Sequence, residues 1–179
     1  MRTRITAAAA AVAFAGMLAF VAGAPAGAEP GPALSRAASG QFTGTTSYTF
    51  NTGGCGFSSP IHQVYDATYG ARGASGAIHL DGCVTIATNP FEYNGSFELK
   101  IEQGGILSGS VTGTIGGATG CTPFAFVLTV TGGTNRFARA KGSIAVDGTW
   151  CFQGNVPAVD DPIGGDLAAS LATTSSDLR

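Results

Sequence analysis

The chain has 179 residues, of which only 11% are charged, and its formal net charge is −2. An average protein carries about twice that density of charge. Its nine lysines and arginines are scattered along the chain, with only Arg136, Arg139 and Lys141 close together. That argues against nucleic-acid binding, which needs clustered cations to meet phosphates.

The first 28 residues read as an export signal. Arg2 and Arg4 form a positive start, Ala7 to Ala22 an apolar run, and Ala26-Gly27-Ala28 a small-residue cleavage site, so the cut is expected before Glu29. The apolar run falls short of the ~20 residues a membrane-spanning helix needs. A secreted protein with no membrane anchor after cleavage is therefore expected, with a net charge near −4 once Arg2 and Arg4 are lost. All four cysteines, Cys55, Cys83, Cys121 and Cys151, lie beyond the leader. An even number in an exported chain predicts two disulfides. None forms a C-x-x-C pair and neither histidine is near one, so no metal site is expected.

Residues 29–40, rich in Pro, Gly and Ala, are expected to form a flexible lead-in to a single domain over 41–173, with a polar tail at 174–179. The chain's 28 glycines and many Thr and β-branched residues suit short strands and tight turns better than helices. Period-two alternation predicts strands at 41–50, 61–70, 75–87, 92–103, 105–115, 122–131 and 142–152, with an eighth at 165–173. The separators are turn chemistry: Asn51 to Gly54, Arg72-Gly73, Asn89-Pro90, Gly104-Gly105, Gly116-Gly117 and Gly132-Gly133. Ile78, Leu80, Val84 and Ile86 should share one face. So should Tyr93, Phe97, Leu99 and Ile101, then Phe124, Phe126, Leu128 and Val130, then Ile144, Val146, Trp150 and Phe152. Glu98, Lys100 and Glu102 take the opposite face of their strand. Consecutive strands with short turns favour an all-β fold, a closed or nearly closed eight-stranded antiparallel up-and-down barrel, because closure removes exposed edges. Alternating strand directions place all four cysteines at one end of it. Hairpin register sets residue 131 near 142 and Cys121 near Cys151. The expected pairing is Cys121–Cys151 with Cys55–Cys83, among the three that four cysteines allow.

Thr131-Gly132-Gly133-Thr134-Asn135-Arg136-Phe137-Ala138-Arg139-Ala140-Lys141-Gly142 resembles the GGTGRFxxAxG segment of the allene oxide cyclase and dirigent barrel superfamily. The resemblance covers about a dozen residues and implies an eight-stranded antiparallel barrel. It implies one of several roles: cyclising an unstable allene oxide, guiding phenoxy-radical coupling without oxidising, or an unassigned role in secreted bacterial members. It also implies that a homo-oligomer is plausible. Asn135 stands where the family has Gly, and Asn tolerates a left-handed backbone. Gly132 and Gly133 are expected to turn the chain, Phe137 and Ala140 to plug one barrel end, and Arg136, Arg139 and Lys141 to stay wet. None of the polar residues that serve the plant activities maps onto this chain.

No catalytic constellation stands out. His62 and Asp66 share a strand face but lie about 13 Å apart by strand rise, as do Glu98 and Glu102. The second spacing exceeds that of glycosidase carboxylate pairs. His79 and Asp81 are expected on an outer face, opposite Lys100 and Glu98 respectively. Gly105 to Gly109 lacks the glycine a nucleophile elbow needs. The aromatic set is richer. Phe50, Phe97, Leu99, Phe124, Phe126, Leu128 and Trp150 are the candidate lining of an interior cavity, unless the rings simply fill the core. Three functions stay open: a non-catalytic binder or guide for a small hydrophobic ligand, a cofactor-free cyclase or isomerase, and a structural module without ligand. No cofactor is implied by any of them.

Overall fold

The computed structural model describes residues 34–50, 54–56, 58–71, 74–102, 104–117, 120–154 and 156–173. The expected leader with its cleavage site, the start of the lead-in and the polar tail lie outside the described residues. Eight strands run in chain order: β1 Leu34–Phe50, β2 Ile61–Ala71, β3 Ala74–Thr85, β4 Phe91–Ile101, β5 Gly105–Ile115, β6 Cys121–Gly133, β7 Lys141–Cys151 and β8 Asp161–Thr173. Each pairs antiparallel with the next, and β8 closes on β1, giving a closed eight-stranded barrel. The only helical turn among the described residues is a short 3-10 segment, Asn135–Phe137.

Two strands are longer than the alternation suggested. β1 starts at Leu34, inside the expected lead-in, because Leu34–Gly40 pairs with Leu167–Thr173 of β8. Its Ala- and Ser-rich sequence has no hydrophobic rhythm, so only the partner strand reveals it. β8 starts at Asp161 rather than 165, where Pro162-Ile163-Gly164-Gly165 mimics a turn. Gly132 and Gly133 are not a turn either. They end β6 after a bulge opposite Ser108 and Gly109 that skips Thr131. Their smallness serves close approach, since a Cβ on Gly133 would collide with the Ile106 carbonyl oxygen. The chain reverses later, through Asn135 at φ 53.

The inside of the barrel is set by register. Eight strands enclose a space that side chains can just fill. Here bulky rings are matched with glycines across the strands: Phe42 with Gly165, Tyr69 with Gly76, Phe97 with Gly109, Phe124 with Gly148, and Tyr93 and Phe126 both with Gly113. The glycine leaves the volume the ring occupies. A Cβ on Gly113 would collide with the Ala125 carbonyl oxygen and stand 2.6 Å from Phe126 Cδ1. In the centre Tyr65, Tyr93, Phe124 and Phe126 interlock, with ring centroids 4.8–5.5 Å apart. The outer wall carries Asp66, His79, Glu98 and Lys100. That is the reverse of a membrane barrel, whose outer face is apolar. Among the described residues no helix is long and apolar enough to cross a membrane.

Disulfides Cys121–Cys151 and Cys55–Cys83 are both formed. The first joins residues directly opposite in the β6–β7 pair, while residue 142 faces 130 rather than 131. The second ties the β1–β2 connection to β3. Both sit at one end of the barrel, where β1, β3, β5 and β7 finish. Two disulfides indicate an oxidising environment. Four loops meet at this disulfide end, and the Arg136–Lys141 connection lies at the other.

Candidate functional site: an apolar cup at the disulfide end

The ring–glycine packing closes the middle of the barrel, but the disulfide end is open. There, a cup of about 290 Å³ is bounded by Tyr48, Phe50, Ile61, Gln63, Val84, Ile86, Phe91, Ile115 and Trp150. Every strand from β1 to β5, and β7, contributes to it where its hydrophobic row reaches the rim. Phe50 and Ile86 are 51% and 45% exposed. Val156 and Val159, on the β7–β8 connection at the same end, are also exposed. Large apolar side chains gathered at one opening, rather than scattered, mark a binding surface. Three larger depressions, of about 520, 540 and 310 Å³, lie on the β1–β4 outer wall, around the Gly104–Arg136 end and beside Gln41, Asp147 and Asp166. They are open grooves between exposed side chains, so the smaller cup is the better-enclosed candidate.

The expected cavity residues separate into two groups. Phe50 and Trp150 line the cup. Phe97, Leu99, Phe124, Phe126 and Leu128 are buried in the filled interior. Ile86 does not continue the inward row of β3, because the strand ends at Thr85 and the residue turns out onto the rim.

The floor is polar and tied together. Gln63 Nε2 donates to Thr46 Oγ1 at 3.1 Å, Thr46 Oγ1 donates to the Val64 carbonyl at 2.8 Å, and the Tyr93 hydroxyl donates to the Gln63 carbonyl at 3.1 Å. The Tyr65 hydroxyl sits beside Thr46 and Gln63 but meets neither in hydrogen-bond geometry. On the rim side, Trp150 Nε1 donates to Asp161 Oδ2 at 2.9 Å, and the Gln153 N–H to Oδ1 at 3.3 Å. Asp161 is fully buried, so these donors replace its lost water.

Burial holds the phenols of Tyr65 and Tyr93 far above the ordinary tyrosine value, and the charge of Asp81 adds to the effect at Tyr93. Tyr48 is raised by burial, pulled partly back by a hydrogen bond with the Ala158 backbone, and pushed up again by Asp161. All three are neutral phenols near pH 7. The cup lining thus holds aromatic rings, the Tyr48 phenol and the Gln63 amide.

Both histidines lie outside the barrel wall. His79 Nδ1 is 2.7 Å from Asp66 and His62 Nε2 is 2.8 Å from Asp81, across the β2–β3 pair. His79 faces Glu98, and Lys100 faces Ala77, one strand-pair step from the expected opposition. The pairs form across β2–β3, where neither the spacing of His62 and Asp66 along β2 nor the expected β3–β4 opposition reveals them. The Arg72-Gly73 turn signal centres the β2–β3 hairpin so that residue 66 meets 79. Among the described residues no group of three or more His, Cys, Asp or Glu side chains could hold a metal ion.

In the 131–142 segment, Ala140 is fully buried, Phe137 packs on the core, and Arg136, Arg139 and Lys141 are exposed, with the Arg136 guanidinium 5.0 Å above the Phe137 ring. This end is a plug. No family model, curated protein sequence or solved structure matches the chain significantly.

Proposed function

We propose that this protein is an exported barrel that holds a small hydrophobic ligand in the cup at its disulfide end, without chemically changing it. The carrying observation is the apolar cup itself, with Tyr48, Phe50, Phe91 and Trp150 among its walls and its rim left exposed. A structural module has no need of exposed Phe50 and Ile86 around a hollow, and it would gain by filling it. The cup's wall offers apolar contact area with the polar Gln63 and Tyr48 side chains among it, the usual equipment of a ligand pocket. Export through the residue 1–28 signal, with cleavage before Glu29, suits the two disulfides. The 131–142 segment and the barrel architecture suit the allene oxide cyclase and dirigent type, whose guiding members act by enclosure.

Trp150 is the chain's single tryptophan, so its emission reports the cup directly. Titration with small apolar aromatics should change Trp150 emission saturably and raise the melting temperature. No emission change and no thermal shift from any apolar compound would remove the proposal.

A further inference from the structure

We infer that the cup is an aromatic cage for a hydrophobic organic cation, such as an alkylated ammonium group, rather than for a carboxylate-bearing apolar molecule. This rests on the cup being the ligand site. Tyr48 stands nearly perpendicular to both of its aromatic neighbours, at 82° to Phe50 with centroids 5.4 Å apart and at 77° to Trp150 with centroids 6.1 Å apart. All three rings border the same hollow. Aromatic rings gathered around one space are how quaternary ammonium groups are recognised. Trp150 gives the strongest π face of the three residue types. Its N–H is donated to the buried Asp161 carboxylate, which pushes electron density onto the indole and makes its face more negative.

The charge distribution points the same way. The chain segments that build the cup end, residues 44–64, 81–95, 111–126 and 148–163, contain four acids (Asp81, Glu92, Asp160 and Asp161) and no lysine or arginine. The described cations fall towards the other end: Arg36 near the start of β1, Lys100 on late β4, Arg136 and Arg139 on the β6–β7 connection, and Lys141 at the start of β7. Residues scattered in sequence are thus gathered by the fold, and a carboxylate entering the cup meets no cation to pair with. Desolvating an unpaired anion there is costly, whereas a cation is drawn in by the acids and held by the rings.

The test compares three probes of similar size by Trp150 fluorescence and calorimetry: benzyltrimethylammonium, its neutral isostere neopentylbenzene, and the anion 3-phenylpropanoate. The cation should bind at least tenfold more tightly than the anion and more tightly than the isostere. Phe50→Leu keeps the exposed rim apolar while removing one π face. It should weaken the cation several-fold and change the isostere less than twofold. Equal binding of all three probes, or a preference for the anion, overturns the cage while leaving the apolar cup standing. Silence from all three overturns the cup as a site.

Discussion

Gly113→Ala sets two physical expectations against each other. In a strand interior, alanine ordinarily beats glycine by about 0.5–1 kcal/mol through backbone entropy. At position 113 the new methyl would enter the barrel between Tyr93 and Phe126, which both face this glycine across the sheet. It would collide with the Ala125 carbonyl oxygen and stand 2.6 Å from Phe126 Cδ1. A backbone oxygen cannot swing aside, and Phe126, 2% exposed, is held by three other rings. Overpacking of this kind costs about 1–3 kcal/mol, so Gly113→Ala should be less stable than wild type by roughly that amount. For a domain of this size each kcal/mol lowers Tm by about 3–5 °C. Gly70, on β2, has open space where a Cβ would go, so Gly70→Ala should instead gain about 0.5–1 kcal/mol. Urea unfolding followed by near-ultraviolet circular dichroism measures both. If Gly113→Ala matches or exceeds wild-type stability, the ring–glycine interlock is not what fills the barrel.

Three further outcomes follow from the same structure. The Cys121Ser/Cys151Ser double variant opens a loop of sequence separation 30 and should lose about 3–4 kcal/mol in chemical unfolding; an unchanged midpoint would mean the bridge adds nothing. The tyrosine contribution to stability should fall as pH rises above about 10. The unfolded chain releases tyrosine protons there while the buried Tyr65 and Tyr93 keep theirs, at about 1.4 kcal/mol per pH unit for each. Absorbance at 295 nm should then show these two ionising only together with unfolding, and early ionisation of all four tyrosines would contradict their burial. His79→Ala removes an exposed pair with Asp66, so it should cost under about 1 kcal/mol and leave Trp150 emission titrations unchanged; a lost emission response would place the site on the outer wall.

The barrel was legible because its inward rows are made of residues with unmistakable hydrophobicity. Phe97-Leu99 against Glu98-Lys100, and Phe124 to Val130 against Ala125 to Thr129, state their faces without help. The start of β1 and the start of β8 were not legible, because Ala, Ser, Gly and Pro carry no period and become strand only by pairing with each other. Register was fragile for a related reason. Centring the β3–β4 turn one residue too late slides partners by two, which preserves every face yet puts Lys100 instead of Glu98 opposite His79. Half of the cup followed the same logic. Phe50 and Trp150 announce themselves as large rings at strand ends, whereas Gln63, Thr46 and Asp161 look like ordinary polar residues until the closed barrel buries them. The absence of lysine and arginine from the cup-end segments is likewise invisible in a linear chain, since only strand direction decides which end a residue reaches.

The cup as ligand site is tested most directly by residue-resolved NMR during titration with benzyltrimethylammonium. The amides of Tyr48, Phe50, Ile86 and Phe91 and the Trp150 indole N–H should shift together along one saturable curve, while Gly133 to Lys141 stay still. Shifts confined to the Arg136–Lys141 end, or spread evenly over the outer wall, would contradict it.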